Sequence, residues 1–313
     1  MKNLFKNCVS VSESDGWLTP LRFTEKQIAV YAKAESKLIR CKSASSVCLA
    51  FKSSAKYISF DYCINGCARE WAFVDVVVGG LLQSSTEISV KGGSVTIPLT
   101  GNSELETRVY LPHLVCISIK NIKSDAPLIP TEKREKSWLI LGDSITQGMV
   151  AKKPSNAYPS LLSEWYGCEA YNEGVGGIAF NKDELDYLGF EPDIISIALG
   201  TNDWGIEREI FETNVREYLD KLISLYACRN IYIILPIWRS DDGGISAGMT
   251  FREHSAIIAK VASEYPFIKV IDGYKLVPPM PELFGDPSGR LVHPNDEGFL
   301  RSAFALVKEI GNI

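Results

Sequence analysis

Residues 137–148 read Ser137-Trp138-Leu139-Ile140-Leu141-Gly142-Asp143-Ser144-Ile145-Thr146-Gln147-Gly148. Trp138 to Leu141 form a short apolar run, the mark of a parallel strand covered on both faces. The Gly142-Asp143-Ser144 turn leaves a hydroxyl at the strand tip, where a helix start offers N–H groups without an intrahelical partner. The rhythm of strand, loop and helix continues to the C-terminus. Residues 194–199, 231–235 and 268–271 repeat the apolar run. Between them Ile210, Phe211, Val215, Tyr218, Leu219, Leu222 and Ile223 recur at helical spacing. Thr250 and Glu253 are placed as a capping box, and a last helix begins near Asn295 and carries Phe299, Ala303, Leu306 and Ile310. Residues 131–313 are therefore expected to fold as a doubly wound α/β domain with a parallel sheet.

Upstream the pattern changes. Residues 27–33, 37–41, 47–51, 57–62, 71–78, 95–99 and 114–120 are short strand-like runs. Ile58, Phe60 and Tyr62 alternate with Ser59 and Asp61, and Val115, Ile117 and Ile119 alternate with Cys116 and Ser118, as in strands buried on one face. Glycines at 79, 80, 92 and 93 punctuate them. Many strands with no convincing helix between them predict an antiparallel, jelly-roll-like β-sandwich over residues 1–130. The charged, proline-bearing stretch 123–136 reads as a linker to the second domain.

The whole chain has 313 residues, 46% hydrophobic and 23% charged, with a net charge of −5. Those values fit a globular protein with ample core and exclude fibres, small disulfide scaffolds and disordered tails. No Lys/Arg run suits a phosphate backbone, so nucleic acid is not an expected partner. No window approaches 18 apolar residues, so no membrane span is expected, and Lys6 and Asn7 interrupt the start before a signal-peptide core. The expected compartment is the cytoplasm. The eight cysteines are spread over both halves, several in apolar runs, and read as reduced core thiols. Cys63 and Cys67 lack the further ligands that zinc requires, so no metal is expected.

In a doubly wound sheet, ligands bind beyond the carboxyl ends of the strands. Four loops there carry chemistry: the Ser144 turn, Asn172-Glu173-Gly174-Val175-Gly176-Gly177, Gly200-Thr201-Asn202-Asp203, and His293-Pro294-Asn295. Singly, each has a plain structural explanation as a helix cap, tight turn, Asx-turn or helix entry. Together and in this order they provide a hydroxyl, a base and donors for an oxyanion. Trp204 and Trp238 follow strands and are candidate aromatic faces for a sugar, although aromatic residues more often simply pack. His113 and His254 read as structural.

These blocks resemble the SGNH hydrolases, the GDSL esterase/lipase superfamily, over residues 137–313. The resemblance implies a flavodoxin-like three-layer α/β/α sandwich, Ser144 as nucleophile and His293 as general base. It also implies an oxyanion hole of the Ser144 amide, the Gly177 amide and the Asn202 side chain. Thr146 at +2 from Ser144 excludes the α/β-hydrolase elbow. Family members carry Asp three residues before the histidine, where this chain has Arg290. Either Asp286 replaces it, which Gly285 and Gly289 favour by freeing the loop to fold back toward the ring, or Ser144 and His293 act as a dyad with backbone carbonyls orienting the ring. Asp286 in Gly-Asp-Pro-Ser-Gly is equally readable as a turn residue.

The N-terminal sandwich also resembles the layout of bacterial carbohydrate esterases. The implied function is a serine esterase without cofactor, removing short acyl groups, O-acetyl above all, from a small-molecule or oligosaccharide ester. A lipase or thioesterase on longer chains, and a non-catalytic carbohydrate-binding protein on the same scaffold, are the alternatives.

Overall fold

The computed structural model describes residues 1–311. Its N-terminal strands are β1 (Phe5–Lys6), β2 (Ser10–Ser14), β3 (Trp17–Leu21), β4 (Cys48–Lys52), β5 (Tyr57–Cys67) and β6 (Phe73–Val78). They continue with β7 (Leu81–Glu87), β8 (Gly93–Pro98), β9 (Thr107–Tyr110), β10 (Val115–Ser124) and β11 (Ile129–Pro130). One antiparallel sheet runs β1-β4-β9-β6-β7, with β11 added to β4, and the other β2-β3-β10-β5-β8. Leu49, Phe51, Val76 and Val109 of the first sheet meet Ile58, Phe60, Ile117 and Ile119 of the second in one buried apolar cluster. This is the expected β-sandwich, closed by residues that alternate inward along each strand.

Two expected strands are helices instead. Residues 27–31 of the first fall in α1 (Glu25–Tyr31), and 37–41 fall in α2 (Glu35–Lys42). Thr24 opens α1 with a reciprocal capping box: its hydroxyl accepts from the Gln27 amide at 3.3 Å, while Gln27 Oε1 accepts from the Thr24 amide at 3.0 Å. Ile28, Val30 and Ile39 favour a strand only when tertiary context does not decide. Here context does decide, because Phe23, Tyr31 and Cys41 are buried in the core beneath the C-terminal sheet. The α2 helix also lies over β10, and Cys116 is buried beneath it although the alternation would turn it outward.

The stretch 123–136 is not a free linker. Its first residues end β10, Ile129 and Pro130 pair with β4, and Arg134 donates to Ser163 O at 2.6 Å and to Glu164 at 3.0 Å.

The C-terminal sheet contains β12 (Lys136–Gly142), β13 (Cys168–Gly174), β14 (Ile194–Ala198) and β15 (Ile231–Ile234). A small ribbon of β16 (Ile245–Ser246) and β17 (Met249–Thr250) precedes the last strand, β18 (Ile268–Ile271). The sheet is parallel in the order β13-β12-β14-β15-β18. Its helices are α3 (Ser144–Gln147), α4 (Tyr158–Tyr166), α5 (Arg208–Leu225), α6 (Phe251–Ala262) and α7 (Asp296–Ile310). Leu139, Leu141, Ile195 and Ile197 face α5 and α6, while Trp138, Ile140 and Ile194 face α4 and α7. The result is the three-layer α/β/α sandwich.

Strand β13 escapes the periodicity because it reads Cys-Glu-Ala-Tyr-Asn-Glu-Gly, yet all seven residues are buried. Its polar groups are matched from the N-terminal half: Asn7 accepts from the Ala170 amide at 3.0 Å, and Arg108 donates to Glu169 at 3.1 Å. Asn172 to Gly174 therefore close a strand, and the glycine turn begins only at Val175. Among the described residues, no helix is long and apolar enough to cross a membrane.

Candidate active site

Neighbouring parallel strands β13, β12 and β14 end side by side, which brings three of the four loops to one edge. Asp143 caps α3 by accepting from the Ile145 amide at 2.9 Å, and Ser144 is the first helical residue. Gly174 is required here, because a Cβ would lie 2.4 Å from the Gln147 backbone nitrogen. The Gln147 side chain then ties the loops together, accepting from the Gly176 amide at 2.8 Å and donating to Arg40 O at 3.0 Å.

Ser144 Oγ lies 2.8 Å from His293 Nε2. On the other side of the ring, His293 Nδ1 is 2.5 Å from Asp286 Oδ1. Asp286 Oδ2 accepts from the backbone amides of Val292 and His293, both at 2.7 Å. The loop is pinned at its base, where Gly285 donates to His293 O at 3.1 Å and Asn295 to Leu283 O at 2.9 Å. Burial alone would raise the Asp286 carboxyl, but the His293 ring and the two amides outweigh it and hold the carboxyl below its usual range. Arg290 points away and pairs with Asp241 at 2.8 Å. The ring nitrogen thus faces a carboxylate, not a backbone carbonyl.

Ser144, Gly177, Asn202 and His293 line one open cleft of about 420 Å³. Among the described residues, no protein acceptor takes the amide hydrogen of Ser144 or of Gly177. Gly177 holds φ at +81°, a conformation that costs other residues strain. Asn202 Nδ2 donates to Ile178 O at 2.8 Å, which fixes the amide and leaves its second hydrogen free for a ligand. Asp203 is fully buried and accepts from the Phe180 amide at 3.0 Å, joining the second loop to the third. Burial, reinforced by Asp143 and Glu184, pushes its carboxyl up to about 7.

The other two histidines brace backbone. His113 Nε2 bonds Gly148 O at 2.9 Å, and His254 Nε2 bonds Gly200 O at 3.0 Å. Burial lowers both rings to about 4, so they remain neutral at physiological pH. Trp204 and Trp238 do not reach the cleft. Trp204 donates to Met249 O at 3.1 Å and packs edge-on against Phe251, and Trp238 packs edge-on against Phe284. All eight cysteines are free thiols, and among the described residues no group of three or more His, Cys, Asp or Glu is placed to hold a metal ion.

Two charged lining residues are absent from the sequence reading: Arg40 of α2 and Arg69 of the segment after β5. Nothing in their local pattern points to the cleft. Both are carried there by the N-terminal half, which supplies one wall.

The comparisons with known proteins agree with this architecture. A salicylyl-acyltransferase, SsfX3, from a tetracycline biosynthetic pathway superposes with a TM-score of 0.81 at 20% identity, over 98% of this chain and 93% of that one. A family two carbohydrate esterase from Clostridium thermocellum gives 0.66 at 13% identity, over 86% and 92% of the two chains. The acetyl xylan esterase Est2A from the rumen bacterium Butyrivibrio proteoclasticus gives 0.62 at 14% identity, over 85% and 88%. At these identities the likeness establishes the fold. By sequence, no curated protein matches the chain. Residues 140–300, just over half of the chain, match the pattern of the GDSL-like Lipase/Acylhydrolase family. With the parallel sheet and the Ser144 turn at its β12 tip, that match places the chain within the GDSL-like lipase/acylhydrolase family.

Proposed function

We propose that the chain is a serine esterase that hydrolyses short acyl esters, O-acetyl groups on a carbohydrate in particular, through an acyl-enzyme on Ser144. The observation that carries this reading is the unbroken line from Ser144 Oγ through the His293 ring to Asp286, at 2.8 and 2.5 Å. Ser144 Oγ attacks the ester carbonyl as His293 Nε2 takes its proton. Charge developing on the carbonyl oxygen is met by the Ser144 and Gly177 amides and by Asn202. His293 returns the proton to the departing alcohol. Water then attacks the acyl-enzyme with His293 again as base, and the acid leaves as Ser144 recovers its proton.

Short acyl groups suit the cleft because, among the described residues, Met149 is the only large apolar side chain lining it, beside Arg40, Arg69 and Asn202. That lining disfavours a lipase. The carbohydrate esterases among the structural relatives support a sugar as the alcohol. A second reading, transfer of the acyl group to an alcohol other than water, is favoured by the acyltransferase superposing over nearly the whole chain.

The test is hydrolysis of p-nitrophenyl acetate and acetylated xylo-oligosaccharides, with intact-mass detection of an acetyl adduct. Activity on both, an adduct on Ser144, and loss of both signals in Ser144→Ala are expected. Turnover persisting in Ser144→Ala would overturn the mechanism. Adding alcohols separates the two readings: acyl transfer produces a new ester at the expense of acetate.

A further inference from the structure

Among the described residues, no carboxylate lies within ion-pair distance of the two guanidinium groups in the cleft beside Ser144. Arg40 lies along Gly176, and its Nη1 donates to Gly176 O at 2.9 Å. Arg69 is held by a bond from its Nη1 to Ala68 O at 3.0 Å. Both are half-buried and line the cleft with Ser144 and His293. Among the described residues neither makes an ion pair, whereas Arg108, Arg134, Arg216, Arg239, Arg290 and Arg301 each meet an Asp or Glu.

Among the described residues, no acidic side chain lines the cleft. Asp286, whose charge partly offsets that of Arg40 at Arg69, is itself engaged by the His293 ring and two amides. The two cations are also close enough to disfavour each other, since after burial the Arg40 charge is the next influence lowering Arg69. Like charges held together in a part-desolvated pocket are costly unless an anion completes the set. A guanidinium fork fits a carboxylate with two parallel hydrogen bonds, so a pair of them beside an ester site is a recognition device.

We infer that this cleft selects esters that carry a carboxylate, held by Arg40 and Arg69 while the ester carbonyl faces Ser144. The inference rests on the esterase reading above and adds the charge of the substrate to it. The carboxylate belongs either to the acyl part, as in a half-ester of a dicarboxylic acid, or to the alcohol part, as in an acetylated uronic acid.

Two substrate pairs distinguish these sources in the full-length protein. Mono-p-nitrophenyl succinate is compared with p-nitrophenyl butyrate, and O-acetylated galacturonate with its methyl ester. In one pair kcat/KM favours the charged ester by roughly tenfold or more, the lower range for a charge-assisted hydrogen bond, and added NaCl erodes that preference. Arg69→Gln and Arg40→Lys each reduce the charged-to-neutral ratio, the second because an ammonium keeps the charge but loses the fork.

A ratio near one in both pairs overturns the inference, as does an equal loss on charged and neutral esters in both variants. Failure of the esterase reading looks different, because then neutral esters are not cleaved either or Ser144→Ala keeps its turnover. Calorimetric titration of succinate reads the acyl-side arrangement without turnover, and galacturonate the alcohol-side one. Binding of one of them that weakens in Arg69→Gln supports the inference, and no binding of either at millimolar concentration overturns it.

Discussion

Asp286 and His293, seven residues apart on one loop, meet with Oδ1 at 2.5 Å from Nδ1. The same carboxylate accepts the amides of Val292 and His293. A neighbouring carboxylate keeps the distal nitrogen protonated, so that Nε2 is free to accept the serine proton. Replacing Asp286 with Asn is expected to lower kcat by about 10³- to 10⁴-fold, with circular dichroism unchanged. Asp286→Ala also leaves two amides without an acceptor, and its melting temperature should fall further than that of Asp286→Asn. A loss below about tenfold in both variants would instead mean that Ser144 and His293 work as a dyad.

Asn202 is held at Ile178 O by one amide hydrogen and presents the other to the cleft. Asn202→Ala should reduce kcat by roughly 10²- to 10³-fold, the cost of one oxyanion donor. The effect on KM should be small, since the ground-state carbonyl is not yet charged. Steady-state kinetics on p-nitrophenyl acetate check this, and a change confined to KM would remove Asn202 from the oxyanion hole.

The buried Arg22 fastens the N-terminal half to the tip of β13. Its guanidinium donates to the carbonyls of Ser43 at 2.6 Å, Arg40 at 2.8 Å, Gly174 at 3.2 Å and Cys41 at 3.3 Å, and to that of Asn172. Arg22→Met leaves several buried carbonyls unsatisfied and should cost roughly 3 kcal/mol or more in urea denaturation. Lysine, with no planar fork, should recover only part of that loss. Stability within about 0.5 kcal/mol of the parent would show the fastening to be dispensable.

Glu173 is fully buried against the Gln27 amide, and burial pushes its carboxyl up to about 8 from an unfolded value of 4.5. The folded state therefore binds this proton more tightly than the unfolded chain does. Its stabilising contribution is complete below 4.5 and is lost as pH rises through 8. Glu184, raised by burial to about 7, acts in the same direction. Unfolding free energy should decline by a few kcal/mol between about pH 5 and about pH 9, and Glu173→Gln should flatten the decline. An identical pH profile in the variant would count against this role.

The parallel sheet and the nucleophile turn were legible because both depend on local signals: an apolar run of strand length, then Gly-Asp-Ser. His293 could be placed near Ser144 because loops after parallel strands converge at one edge. Asp286 could be favoured over backbone carbonyls only through the glycines that flank its loop, since its two amide bonds show only in the folded loop. Strand β13 was hidden because its glutamates and asparagine are matched by residues 61 to 146 positions away. The helices α1 and α2 were misread as strands because Ile, Val and Tyr carry a β preference that burial against another element overrides. Trp204 and Trp238 follow strands as sugar platforms would, yet both rings are committed to phenylalanine neighbours.

Residues 131–313 expressed alone should not give a soluble, cooperatively melting domain. Without the N-terminal half, Phe23, Tyr31 and Cys41 leave the cluster containing Leu139, Leu141, Tyr171 and Val175. A patch of that kind drives association. Size-exclusion chromatography and a thermal melt check the expectation, and a monodisperse fragment with a sharp transition would refute it.

The burial of Phe23, Tyr31 and Cys41 among residues as late as Val261 and Ile268 also sets a schedule for biosynthesis. The ribosome produces the apolar faces of α1 and α2 long before the sheet that will cover them. At 5–20 residues per second their cover arrives on the order of ten to forty seconds later. Throughout that interval the β-sandwich can consolidate around its own cluster, with α2 over β10, while the faces of α1 and α2 that meet the C-terminal sheet wait uncovered. The order of synthesis therefore makes this shared face the last part of the N-terminal half to be covered.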